Sequence, residues 1–185
     1  MTEHARLVEL LAARSAKRGR FVLASGRQSD FYIDARLTTM SPEGLPLIGQ
    51  VGLAAIRTAG WQVSSIGGLT LGADPIAYAI SYASSNSDSP LRAFTVRKEA
   101  KTHGTGKLIE GPFVRGDRVA IIEDVITTGS SALQAARAVT QSGGTVSGIL
   151  ALVDREEGGR ETIQSAGFEV ISLVTREQLM RLLPI

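Results

Sequence analysis

Apolar residues follow two alternating rhythms along the chain. Leu7, Leu10, Leu11 and Arg14 fall at helical spacing, which predicts an opening amphipathic helix ended by Gly19. Phe21-Val22-Leu23 and Phe31-Tyr32-Ile33 flank Ser25-Gly26-Arg27-Gln28-Ser29 and read as two strands with a turn-rich connection. Ser41-Pro42-Glu43 combines a capping hydroxyl, a proline suited to the first helical position and an acid favoured by the helix dipole. It predicts a helix with Leu45, Ile48, Val51, Ala55 and Ile56 inward and Gly60 after its end.

The alternation continues to the end of the chain. Strands are predicted over 63–66, 91–96, 119–122, 146–153 and 168–174. Helices are predicted from Asp74-Pro75 to Ala83 and from Ser130 to Gln141, with short ones on either side of the last strand. Near-continuous apolar strands between helices predict an α/β fold, a mostly parallel sheet covered on both faces. Ligands of such sheets bind at the carboxyl ends of the strands, so residues just after strands hold the candidate chemistry. No repeat or linker divides the sequence, and a single domain over 1–185 is expected.

Composition narrows the classes. A chain of 185 residues, 43% hydrophobic and 21% charged, can bury a core of its own. The absence of cysteine excludes disulfides, thiol nucleophiles and cysteine-held metals. Twenty basic against 18 acidic residues leave +2, too balanced for a broad nucleic-acid face even at a pI of 9.2. The first residues lack the apolar run of a secretory signal, and nothing reaches the ~18–20 apolar residues of a membrane span. A cytoplasmic protein without membrane or nucleic-acid partners is expected.

The most informative segment is Val119-Ala120-Ile121-Ile122-Glu123-Asp124-Val125-Ile126-Thr127-Thr128-Gly129-Ser130-Ser131. It runs from a buried strand through two adjacent acids into hydroxyls and a glycine that open a helix. Amides and hydroxyls at a helix N-terminus point donors at an anion, and the dipole adds to the attraction. A phosphate would repel the two carboxylates, so they suit sugar hydroxyls or a magnesium ion held through water. A ribose 5-phosphate satisfies both halves. A plain strand end and helix cap is the bland alternative, and two acids directly after four buried apolar residues weaken it, since unpaired buried carboxylates are costly. A glycosidase acid pair is disfavoured because neighbours in an extended segment point to opposite sides.

A second segment is cationic. Residues 97–107 hold four basic residues and one acid, so this stretch carries +3 and the rest of the chain −1. Arg97, Lys98, Lys101 and His103 could stabilise a departing anion, and His103 could donate a proton near neutral pH. Gly104 and Gly106 would let the loop close and reopen. Gly104-Thr105-Gly106-Lys107-Leu108 lacks the first glycine and the Ser/Thr of a P-loop, and Gly104-x-Gly106 lacks the third glycine of a dinucleotide fingerprint.

The thirteen-residue segment resembles the phosphoribosyl pyrophosphate signature of the type I phosphoribosyltransferases. Within that family the orotate phosphoribosyltransferases are the most similar. Their mobile catalytic loop resembles Arg97-Lys98-Glu99-Ala100-Lys101-Thr102-His103-Gly104, and their N-terminal strand and turn resemble the stretch from Phe21 to Ser29. Gly67-Gly68-Leu69-Thr70-Leu71-Gly72-Ala73-Asp74-Pro75 and Leu152-Val153-Asp154-Arg155-Glu156-Glu157-Gly158-Gly159 complete a resemblance running over 21–159. It implies a central mostly parallel sheet flanked by helices, with an N-terminal helix and hood strands over 1–40 and a mobile loop over 98–111.

The resemblance also implies the reaction, transfer of ribose 5-phosphate from phosphoribosyl pyrophosphate to orotate, with Mg2+, in pyrimidine biosynthesis. Arg97, Lys98, Lys101 and His103 would contact the pyrophosphate, with part of the loop crossing a homodimer. Glu123 and Asp124 would hold the ribose, and Val125, Ile126, Thr127, Thr128, Gly129, Ser130 and Ser131 the 5-phosphate. Orotate would be held by Thr127 and Arg155, with Tyr32 and Ile33 beside the base. Magnesium would be held mainly by substrate and water rather than directly by side chains.

Two departures stand out. Enteric-type members carry a lysine where this chain has Ala24, and a Tyr-Lys pair in the loop that here reads Thr70-Leu71-Gly72-Ala73-Asp74. The shorter bacterial and archaeal branch is similar to this chain at both places, and backbone amides around Leu71 to Ala73 would then serve the pyrophosphate. A same-fold purine enzyme and a non-catalytic regulator are the alternatives, and a regulator would have little use for Lys101 and His103. His4 is expected to face solvent, Trp61 to pack at a strand entry, and Met40 and Met180 to fill the core.

Overall fold

The computed structural model describes residues 1–22, 26, 28–99 and 107–184. The opening helix, α1 (Glu3–Arg14), is capped by the Thr2 hydroxyl and buries Leu7, Val8, Leu11 and Ala12. It ends at Ser15 rather than Gly19. Strand β1 (Ala16–Val22) already pairs there with β2 (Gln28–Ile33), Ala16 opposite Ile33, so tertiary pairing overrides the glycine as a stop signal. The buried Ser15 hydroxyl bonds Thr38 Oγ1 at 2.7 Å, in the short helix α2 (Arg36–Thr39) that the sequence pattern did not indicate.

Helix α3 (Gly44–Thr58) begins two residues after Pro42, yet Ser41 still caps it, its Oγ accepting from the Gly44 amide at 3.0 Å. Then follow β3 (Ser65–Leu69), α4 (Ala73–Ser84), β4 (Arg92–Val96), β5 (Ile109–Glu110), β6 (Arg118–Ile126), α5 (Ser130–Gln141), β7 (Thr145–Asp154), α6 (Gly159–Ser165), β8 (Val170–Thr175) and α7 (Arg176–Met180). The main sheet has the order β5-β4-β3-β6-β7-β8, parallel except for the edge strand β5. β1 and β2 form a separate antiparallel pair.

Successive residues of the central strands serve opposite faces. Ala120, Ile122, Leu150 and Leu152 join α1, α3 and α4 in one core, while Val119, Ile121, Ile149 and Ala151 join α5 and α6 in the other. This period of two in fully buried strands explains their unbroken apolar runs. Trp61 is buried as expected, its indole N–H donating to Glu169 Oε2 at 2.8 Å. Met40 is 52% exposed and fills no core, because α2 turns it outward, whereas Met180 packs partly buried against the first core. The exposed His4 holds a contact after all, its Nε2 lying 2.7 Å from the Leu173 carbonyl.

From β3 the chain crosses through α4 to β4 on one side, and from β6 it crosses through α5 to β7 on the other. The winding direction therefore reverses between β3 and β6. The crevice beyond the carboxyl ends of those two strands is where an open α/β sheet binds its ligand.

Candidate active site

A cleft of about 610 Å³ opens at that crevice. Its walls come from four places: Tyr32 and Ile33 of β2, residues 69–72 after β3, Lys98 after β4, and Glu123, Asp124, Val125, Thr127 and Ser131 along β6 and α5. Arg155, directly after β7, closes one end. A smaller hollow of about 220 Å³ adjoins it, sharing Glu123, Val125, Thr127 and Ser131 and adding Ile126, Thr128, Gly129 and Ser130.

The smaller hollow is built by local sequence and has the donors an anion would need. Gly129 adopts φ 81°, a left-handed conformation that turns β6 into α5, and a β-carbon there would lie 2.8 Å from the Gly159 carbonyl oxygen. The first-turn amides of α5 lack intrahelical partners and face the hollow with the helix dipole behind them. Thr128 and Ser130 hydroxyls bond each other at 3.1 Å beside them.

Strand β6 extends through both acids to Ile126, because Val125 and Ile126 keep pairing with Val153 and Asp154 of β7. Both residues nonetheless line the one cleft. Glu123 is 9% exposed and its Oε2 has no hydrogen-bond partner. Burial pushes its carboxyl up to about 8, with the Asp124 charge and a hydrogen bond that the protonated Glu123 donates to Asp124 adding to the rise. Asp124 Oδ1 accepts from the Val125 amide at 2.9 Å. The two adjoining acids keep unused lone pairs and would suit a hydrated divalent cation. Among the described residues no group of three or more acids or histidines forms a protein cage for one.

Arg155 is held on several sides. Its Nη2 lies 2.8 Å from Glu157 Oε1 and 3.4 Å from Ser29 Oγ, and its guanidinium stands 5.9 Å over the Phe31 ring. Arg176 stands 5.8 Å from the same ring, and Phe31 is fully buried. Arg155 thus pairs with Glu157 in a buried setting rather than with Asp154 or Glu156 at the surface. Asp154 instead binds Arg160 and the Glu156 amide, which fixes the turn carrying Arg155.

Of the basic residues, Lys98 lines the cleft, and its carbonyl accepts from Gln134 Nε2 at 3.1 Å. Arg97 does not line it, and its Nη1 lies 3.8 Å from Glu110 Oε1 across the β4–β5 hairpin. Lys101, His103 and Ala24 lie outside the described residues. Sequence reasoning missed Asp34, Ala35 and Arg36, which also line the cleft. Arg36 donates to both Asp34 oxygens, and this holds the Asp34 carboxyl below its usual range. Only the hood's placement over the sheet brings that pair to the site, and no motif marks it.

No protein-family model matches the chain. Orotate phosphoribosyltransferase of Aquifex aeolicus is 45% identical over 183 residues, 97% of this chain and 99% of that protein. The Mycobacterium avium orotate phosphoribosyltransferase is 46% identical over 168 residues, 91% of each chain. The crystal structure of Mycobacterium tuberculosis orotate phosphoribosyltransferase in complex with phosphoribosyl pyrophosphate superposes with a TM-score of 0.81 at 41% identity, covering 97% of this chain and 99% of that one. Identity at this level along nearly the whole length, on a sheet whose crevice joins an anion cradle to a buried arginine, means that the chain belongs to the orotate phosphoribosyltransferases.

Proposed function

We propose that this chain transfers the ribose 5-phosphate of phosphoribosyl pyrophosphate to orotate, giving orotidine 5′-monophosphate and pyrophosphate, in cytoplasmic pyrimidine biosynthesis. The observation that carries the reading is the continuity of the cleft, from the cradle at the start of α5, past Glu123 and Asp124, to Arg155 and Tyr32.

Displacement at C1 builds positive charge on the ribose and negative charge on the departing oxygen. The amides and hydroxyls of 127–131 hold the 5-phosphate, and Glu123 and Asp124 accept from the ribose hydroxyls. Arg155 and Thr127 receive orotate, whose carboxylate suits a guanidinium fork, with Tyr32 and Ile33 beside the ring. Lys98 meets the pyrophosphate together with Lys101 and His103, while Arg97 sits at the base of their loop. Glu123 and Asp124 would hold Mg2+ through water, and the ion would supply neutralisation of leaving-group charge.

A homodimer with shared sites is part of this reading. Tyr82 (82% exposed), Tyr78, Leu37 and Met40 are exposed apolar residues, and the two tyrosines line an apolar groove of about 450 Å³ with Pro42, Leu45 and Pro46. Such a contiguous apolar surface is what a second copy would cover.

The test is a base panel. The purified chain with Mg2+ and phosphoribosyl pyrophosphate should release pyrophosphate on addition of orotate. Release with hypoxanthine, adenine or uracil, and none with orotate, would overturn the assignment.

A further inference from the structure

The loop between β3 and α4 faces the cleft through Thr70, Leu71 and Gly72, and the acid directly behind it, Asp74, lines no part of the cleft. Asp74 is 9% exposed. Its Oδ2 accepts from the Thr70 hydroxyl at 2.7 Å and its Oδ1 from the Thr95 hydroxyl at 2.8 Å. Thr95 has one hydroxyl proton and spends it on Asp74, so the 2.9 Å contact between Thr95 Oγ1 and Tyr78 is a bond donated by the tyrosine. The donors therefore run one way, from Tyr78 to Thr95 to Asp74, with Thr70 arriving from the cleft side. The Thr70 amide also donates to the Val96 carbonyl at 2.9 Å.

A carboxylate next to a site for an anion weakens that site by repulsion, and it also competes for the α4 N-terminus. Asp74, however, accepts on both oxygens at once, and that ties the loop to β4 and to α4 together. We propose that Asp74 is a positioning residue for the leaving-group end of the cleft, acting through Thr70 to hold residues 70–72 where their amides meet pyrophosphate. This rests on the phosphoribosyl transfer reading of the cleft. It also supplies, for this chain, an anchor in the loop that lacks a lysine.

Two measurements on the full chain test it: direct binding of pyrophosphate with Mg2+, and steady-state kinetics with each substrate. Asp74→Ala is expected to weaken pyrophosphate binding and raise KM for phosphoribosyl pyrophosphate by about 10-fold or more, with KM for orotate within about 2-fold. Asp74→Asn, which keeps one acceptor oxygen, should fall between. A merely structural role would raise both KM values together, and that result, or unchanged pyrophosphate binding in a folded Asp74→Ala, overturns the inference. Should Asp74→Ala fail to fold, Thr70→Val decides, because it removes only the donor on the cleft side and must weaken pyrophosphate selectively. A wild-type chain that binds pyrophosphate but releases none with orotate would sink the orotate reading and leave this comparison intact.

Discussion

Gly72 lies directly against the carboxylate of Asp124. A β-carbon on Gly72 would sit 2.4 Å from Asp124 Cγ and 2.5 and 2.6 Å from its oxygens. The loop after β3 and the acid of β6 are therefore packed as one surface across the point where the sheet reverses its winding.

Gly72→Ala should consequently act on Asp124 rather than on the fold. The methyl group forces the carboxylate aside, and a displacement of about 1 Å in a reacting site costs on the order of 100-fold in rate. Turnover should drop by about that factor while Tm falls by only a few degrees. Equal activity in the alanine variant would show that the Asp124 position is immaterial.

Glu123 makes stability depend on pH. Its carboxyl titrates near 4.5 when unfolded and at about 8 in the folded chain. The stability it contributes is present below the unfolded value and is lost as pH rises toward 8. Glu123→Gln cannot titrate, so its Tm advantage over the wild type should grow between pH 5 and pH 8.5, by roughly 5 °C or more, while activity falls sharply. A gap that stays constant across that range would mean that burial does not raise this carboxyl.

In the proposed reaction Arg155 should govern orotate alone. Arg155→Lys keeps the charge but loses the fork, and is expected to raise KM for orotate by about 10-fold or more with little change for phosphoribosyl pyrophosphate. Arg155→Ala should cost still more. Kinetics with each substrate varied in turn checks this, and a matching rise for both would remove Arg155 from the base site.

Lys101 and His103 give the loop its chemistry in the proposed reaction. Replacing either by alanine should reduce turnover by two or more orders of magnitude with Tm unchanged. Retained turnover would show the loop to be misassigned.

At the opposite end of the sheet, Asp117 is a structural anchor. It accepts from the Ser64, Ser65 and Arg92 side chains and from the Val114 amide. Burial pushes its carboxyl up, but these bonds outweigh it and leave it below the usual 3.8. The stability it contributes is present above the unfolded value and is lost as pH falls through the folded one. Asp117→Ala should cost about 3–5 kcal/mol, roughly 10 °C in Tm, without selective loss of either substrate. Thermal melts at pH 7 measure the cost, and a loss below 1 kcal/mol would contradict the anchor.

Most of the scaffold was legible in the chain. The predicted bounds of the helix Ser130–Gln141 match the structure because its start is set locally, by Gly129 and the hydroxyls around it. The central strands were visible as apolar runs because both of their faces are buried. Glu123, Asp124 and the cradle were legible for the same reason, since one continuous segment builds them. By itself, then, the sequence determined the α/β alternation, the glycine turn into α5 with its hydroxyls, and the acid pair, which depend on neighbours within a few residues. The tertiary structure alone decided that α1 stops at Ser15, that Lys98 faces the cleft while Arg97 turns to Glu110, and that Glu157, Ser29 and Phe31 hold Arg155. Those outcomes rest on contacts between segments distant along the chain or on which way a side chain turns, and burial and charge pairing settle them only once the sheet has brought the segments together.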